Sequence, residues 1–214
     1  MSLSRRPYPN VQPGRPARQQ LRKSLLQWRE ALSTQYEAQL TEAIAHQVVA
    51  RIGSSFEPIL RGKLGQRICI GVYWPIRGEP NLQGVYQQLS DSGYSLALPF
   101  IKADPFNVQR QGDLAYALWS IGDTLVTADF NIQQPKQLVE ITPDLLLVPC
   151  VGFDINGYRL GYGAGFFDQA LKRRPTKTMG IAFSQTGLAD LHPTPNDVRL
   201  DAIVTELEVL TFSG

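Results

Sequence analysis

Sulfur and imidazole are scarce in this 214-residue chain, which holds two cysteines, two methionines and two histidines. A zinc or iron–sulfur centre needs those residue types in clusters, so a soft-metal site lacks its ligands and any metal must be a hard, oxygen-bound cation. Cys69 and Cys150 lie inside apolar runs, RICIGVYW and LLLVPC, where a buried reduced thiol is commoner than a bridge. No apolar run reaches the roughly 18 residues of a membrane span. The amino-terminal arginines and prolines have no apolar segment behind them of the kind a secretory signal requires. The expectation is a soluble cytoplasmic protein. The words GxxxxGK[ST] and GxGxxG are missing too, so no P-loop or dinucleotide fingerprint marks a nucleotide site.

What remains is an ordinary globular balance, 43% hydrophobic and 19% charged, enough for one sizeable core. Residues 1–16 carry four prolines and no apolar periodicity, which predicts a flexible basic leader before a single α/β catalytic domain over 17–214. The total charge of +2 is uneven. Residues 1–30 hold seven basic side chains against Glu30, a net of +6, leaving −4 for the rest. A nucleic-acid arm would need aromatic interleaving for base stacking, and this segment has little, so no nucleic-acid partner is expected. A monomer is expected.

Leu21, Leu25, Trp28 and Leu32 form one helical stripe, with Arg18, Arg22 and Arg29 on or beside its flank. Thr34 followed by Glu37 has the form of a capping box, ahead of a second stripe at Leu40, Ile44, Val48 and Ile52. From Arg67 the period falls to two, with both faces largely apolar, which predicts a central strand through Trp74. A helix over 81–92 and strands over 95–99, 113–119, 144–150, 178–183 and 200–205 follow, with a helix over 165–173. The fold class is α/β: a three-layer α/β/α sandwich around a mostly parallel sheet, with ligands beyond the carboxyl ends of the strands.

Val148 to Asp168, VPCVGFDINGYRLGYGAGFFD, is the densest concentration of potential chemistry. Glycines at 157, 161, 163 and 165 permit positive φ and remove the Cβ atoms that would hold a phosphate away, and Arg159 offers a planar fork of donors. The amino end of the following helix adds unpaired N–H groups, and Asp168 could hold an accompanying Mg²⁺. A plain glycine-rich strand connection is the competing reading of the same word.

With its flanking words, the segment resembles the 5-formyltetrahydrofolate cyclo-ligase (5,10-methenyltetrahydrofolate synthetase) family, whose pattern is close to VPGxAFDxxGxRLGxGxGYYD. Further features of that family follow in order: Leu21-Arg22-Lys23, Tyr73-Trp74-Pro75 with Gly78-Glu79, Leu98-Pro99, Asn131 to Pro135, and Pro195 to Asp201. The resemblance covers about residues 18–206 and implies a fold similar to the sugar-phosphate isomerase and CoA-transferase group. It also implies ATP- and Mg²⁺-dependent cyclisation of 5-formyltetrahydrofolate, with or without a polyglutamate tail, to 5,10-methenyltetrahydrofolate with release of ADP and phosphate, through a phosphorylated formyl imidate.

Carried over by position, the resemblance makes Arg159 and Glu79 catalytic. It places ATP on Arg18, Arg22, Arg159, Gly161, Gly163, Ala164, Gly165 and Phe166. Folate falls to Trp74, Glu79, Phe130, Phe166 and Phe167, and the metal to Asp168 and Asp197. The chain departs from the pattern where the family often has Tyr-Tyr at Phe166-Phe167, Trp at Phe130 and an acid at Asn81; ring stacking survives the first two changes, but a hydroxyl or indole hydrogen bond does not. Two other readings stand beside this one: an isomerase or acyl-transferase of related fold, and a folate-binding regulator without turnover. The first requires a free carboxylate at a strand end, and folate-dependent ATP consumption separates all three.

Overall fold

The computed structural model describes residues 15–56, 67–103, 112–128 and 132–212. The leader expected over 1–16 therefore lies almost wholly outside the described residues, as does the folate contact expected at Phe130. Two helices open the described chain, α1 (Arg15–Glu30) and α2 (Thr34–Arg51), the latter running into a π turn at Ile52–Phe56. The cap of α2 is one residue earlier than the Thr34/Glu37 spacing suggests. Ser33 has the extended backbone of an N-cap, and its hydroxyl accepts from the Tyr36 N–H at 3.3 Å.

The main sheet has eight strands in the order β13-β12-β10-β7-β1-β2-β3-β6. Its parallel centre is β12 (Ala202–Val204), β10 (Lys177–Ile181), β7 (Leu145–Pro149), β1 (Cys69–Gly71) and β2 (Ser95–Lys102). β13 (Val209–Thr211), β3 (Asp113–Trp119) and β6 (Glu140–Ile141) run antiparallel at the edges. β1 is central, as its two apolar faces require, but shorter than the alternation through Trp74 implies: Val72 N–H still donates to Ala97 O, and Pro75 has no N–H to extend a ladder. β2 is longer than expected because it pairs with β3 over nearly its whole length, from Leu96 opposite Trp119 to Lys102 opposite Asp113. The helix expected over 81–92 is α3 (Gln83–Asp91), its first N–H held by Asn81 Oδ1 at 3.1 Å. Helix α4 (Phe166–Arg173) follows the glycine turn.

Period-two alternation distributes each central strand between two cores. Ile70, Leu145, Leu147, Met179, Ile181 and Val204 face α2 and α3, where Ile44, Val48, Tyr86 and Leu89 cover them. Cys69, Leu146, Val148 and Ile203 face the other way, onto Leu171 and Phe167 of α4. Gly71 sits on that second face with no room to spare. A Cβ there would meet Leu146 Cδ2 at 2.5 Å, Tyr116 Cε1 at 2.9 Å and Pro143 Cγ at 3.0 Å. Gly71→Ala is expected to destabilise by about 1–3 kcal/mol through overpacking; an unchanged urea midpoint would show that this face yields without cost.

A small sheet, β11 (Gly187–Leu188), β8 (Gly152–Asp154) and β9 (Arg159–Leu160), and a hairpin of β4 (Leu125–Thr127) with β5 (Gln133–Pro135) complete the described strands. α1 spans two environments. Trp28, with Leu32 just beyond the helix, reaches the main core, while Leu21 and Leu25 pack on Leu160, Leu188 and Leu191 of the small sheet and the loop after it.

Candidate active site at the glycine turn

β1 and β7 are parallel neighbours whose continuations go opposite ways, β1 to β2 and β7 to β10 and β12. The chain thus diverges from their carboxyl ends, the usual position of a ligand crevice in such sheets. Residues 72–81 leave β1 there. Cys150, the β8–β9 hairpin and the glycine turn leave β7.

Asp154, fully buried, builds the hairpin: Oδ1 accepts from Asn156 and Tyr158 N–H at 2.9 and 3.0 Å, and Oδ2 from Leu191 N–H at 2.9 Å. It is thereby occupied by backbone. Arg159 follows on β9, its side chain only 3% exposed, and forks onto Asp168, with Nη1 to Oδ1 at 2.9 Å and Nη2 to Oδ2 at 3.1 Å. The guanidinium also lies over the Phe167 ring at 5.4 Å. Phe167 packs on the second core as well. Asp168 stands in the first turn of α4, where the helix dipole favours an anion, and Oδ1 also accepts from Val198 N–H at 3.0 Å.

Arg18 and Arg22 are one helical turn apart on α1 and point the same way. Arg18 Nη1 meets both oxygens of Asp197, at 3.2 and 3.1 Å, and Nε reaches Leu191 O at 3.3 Å. Burial pushes the Asp197 carboxyl up, but the Thr194 N–H and hydroxyl and the Arg18 charge outweigh it, so the acid is held below its ordinary range. Arg22 Nε donates to Gly161 O at 2.6 Å, and its Cζ would lie 3.3 Å from a Cβ at Gly163. Gly163 has φ +106°, so a side chain there would meet backbone strain as well as the guanidinium. Burial, and then the charge of Arg18, lower the proton affinity of Arg22. Arg18 is paired with Asp197, so the positive charge brought to the glycine turn is that of Arg22, which favours an anion. Arg18 Nη2 and Arg159 Nε are buried donors without an acceptor.

The turn continues to a further arginine of α1, Arg29. Glu79, 3% exposed, accepts from the Tyr162 hydroxyl at 2.6 Å on Oε1 and from Ile76 N–H at 3.0 Å on Oε2. Arg29, equally buried, donates from Nη2 to the Tyr162 oxygen, from Nε to Arg77 O at 2.8 Å and from Nη1 to Cys150 O at 3.4 Å. Burial raises the Glu79 carboxyl above its ordinary value, against the Tyr162 bond, the Arg29 charge and the Ile76 N–H. Neither Arg29 nor Tyr162 is singled out by sequence reasoning. The available signal was spacing, since residues 18, 22 and 29 fall within about 40° on a helical wheel.

The glycine turn thus joins most of the residues expected at a site. Arg18 with Asp197 and Arg159 with Asp168 are linked through Val198 N–H, Arg22 seats on Gly161 and Gly163, and Glu79 connects through Tyr162. Ala164 and Gly165, the latter at φ +74°, lead into α4, where Phe166 is half-buried at the first position. Trp74, half-buried just past β1, is fixed edge-on by Trp119 at 6.1 Å. A groove of about 770 Å³ between α2 and α3 is floored by Ala45, Val49 and Val85 and contains none of these residues. It lacks the converging cations that gather at the turn. Among the described residues no three His, Cys, Asp or Glu side chains cluster as a metal site.

The model of the 5-formyltetrahydrofolate cyclo-ligase family matches residues 15–206. The 5-formyltetrahydrofolate cyclo-ligase of Mycoplasma pneumoniae is 29% identical over 189 residues, 87% of this chain and 96% of the relative. That of Escherichia coli K12 is 30% identical over 148 residues, 65% and 79% of the two chains. In structure, 5,10-methenyltetrahydrofolate synthetase of Aquifex aeolicus aligns with a TM-score of 0.72 at 26% identity, covering 92% of this chain and 93% of the other. The synthetase from Mycoplasma pneumoniae aligns at 0.66 and 25%, covering 88% and 98%.

Proposed function

The chain belongs to the 5-formyltetrahydrofolate cyclo-ligase family, and on that premise we propose that it converts 5-formyltetrahydrofolate and ATP to 5,10-methenyltetrahydrofolate, ADP and phosphate. A formamide oxygen is a poor leaving group. Transfer of the γ-phosphoryl group to it gives an imidate phosphate, which N10 attacks as phosphate departs. Phosphoryl transfer needs positioning and charge neutralisation more than a covalent catalyst. The observation that carries the reading is the set of guanidiniums around one glycine turn, with two buried N–H donors lacking acceptors. Each such donor costs about 1–3 kcal/mol unpaired, a cost that phosphate oxygens would offset.

In this reading Arg18, Arg22 and the amides of Gly161, Gly163, Ala164, Gly165 and Phe166 hold the triphosphate, and Arg159 neutralises charge on the group in flight. Trp74 and Phe166 flank the pterin, and Glu79 faces the two nitrogens, N5 and N10, that ring closure joins. The carboxylates suit a hard cation only in part. Asp168 Oδ1 already accepts two hydrogen bonds and Asp197 Oδ2 three, leaving room chiefly on Asp168 Oδ2 and Asp197 Oδ1. Such a pair could hold Mg²⁺ together with phosphate oxygens, as is usual for that ion, and the ion would supply Lewis-acid charge at the transferring phosphoryl group. The acyl-transferase and isomerase readings need a carboxylate nucleophile or base, whereas Asp154, Asp168 and Asp197 each accept at least two hydrogen bonds.

No helix among the described residues is long and apolar enough to cross a membrane. We infer from the proposed substrates, both soluble anions, an enzyme of the cytoplasm that works as a monomer. The test is methenyl-product absorbance with and without ATP, alongside ADP release. Product in equal measure with ADP, and only when ATP is present, is expected. Folate binding without ADP release would favour a regulator.

A further inference from the structure

Tyr162 lies between two glycines of the turn that the proposed function assigns to the triphosphate, yet its side chain reaches across to Glu79. Arg29 Nη2 donates to the Tyr162 oxygen, so the tyrosine's own proton is directed at Glu79 Oε1, 2.6 Å away. The Arg29 guanidinium also sits over the Tyr162 ring at 5.8 Å. The tyrosine is thus clamped from one side and committed as a donor on the other. We propose that Tyr162 is a positioning residue for ring closure, holding Glu79 as the acceptor of the proton that N10 releases and tying it to the nucleotide turn. The inference rests on the cyclo-ligase reading.

In that step the N10–carbon bond forms, the carbon–oxygen bond to phosphate breaks with its electron pair leaving on phosphate, and the N10 proton passes to a Glu79 oxygen. Only an ionised Glu79 can accept it. The other groups facing this carboxyl are Arg29 from α1, Tyr73 beyond β1, Tyr86 from α3 and Cys150 beyond β7. The Tyr73 hydroxyl is spent on Pro80 O at 2.7 Å and that of Tyr86 on Tyr73 O at 2.8 Å, so neither bonds to Glu79. Burial raises Glu79, and the Tyr162 bond is foremost among the influences opposing it. Its loss makes Glu79 harder to ionise.

The experiment is the pH profile of kcat for the wild type, Tyr162→Phe and a protein with 3-fluorotyrosine at position 162. In Tyr162→Phe the acidic limb should move up by about one pH unit, a roughly tenfold loss on the acid side that recovers at higher pH, with KM for ATP within about twofold of wild type. Fluorotyrosine keeps the shape and sharpens the donor, so its limb should move down. A uniform loss across pH in Tyr162→Phe, or a limb unmoved by fluorotyrosine, overturns the positioning role. A wild type that makes no methenyl product with ATP overturns the cyclo-ligase reading itself, so the two failures are distinct.

Discussion

Arg159→Ala is expected to lower kcat by about 10³-fold while changing 5-formyltetrahydrofolate affinity less than about tenfold, since the lost guanidinium acts on charge that develops only during phosphoryl transfer. The side chain is 3% exposed and packed on Phe167, so its removal also leaves a hole and an unpaired Asp168. The latter's side chain is 21% exposed, and water screens much of that charge; a stability loss of about 1–3 kcal/mol is the discounted figure for a partly buried pair. Arg159→Lys keeps the charge but cannot form the two-point fork onto Asp168, and about a hundredfold loss in kcat is expected. Steady-state kinetics beside a denaturant melt separate the two effects. Kinetics matching wild type in a folded Arg159→Ala protein would remove Arg159 from the chemistry.

Asp168→Asn should raise the Mg²⁺ concentration needed for half-maximal ATP turnover by about 10–100-fold, the usual cost of altering a supporting group at a metal site. Asparagine retains an acceptor for the Val198 N–H but loses the charge opposite Arg159, so some of the fall in kcat will come from a displaced guanidinium. A titration of rate against Mg²⁺ at saturating ATP distinguishes the causes. If the Mg²⁺ midpoint is unmoved while kcat falls as far as in Arg159→Ala, Asp168 works through the arginine alone and the ion is held elsewhere.

Much of the fold was legible in the chain because strong periodicity reports burial. The apolar run at 144–150 gave a central strand, and β3 spans 113–119 as read. The small sheet of β8, β9 and β11 was not foreseen, because strands of two or three residues rich in glycine carry no period to detect. In the site, the glycine turn, Arg159 and Asp168 stood in one segment and could be seen together. Arg29 looked like a flank residue of an amphipathic helix, and Tyr162 like filler between glycines, because their meeting with Glu79 joins positions 50 to 133 residues apart.

Local order alone determined where glycine frees the backbone, which residues line each helix face, and which side chains could carry charge to a phosphate. Only the folded chain decided how those charges are spent: Asp168 and Asp197 are bound to arginines rather than left open, Phe167 supports Arg159, and Asp154 is consumed by backbone. The reason is that pairing energy depends on distance and burial, and neither is set until strands β1 and β7 bring their carboxyl ends side by side.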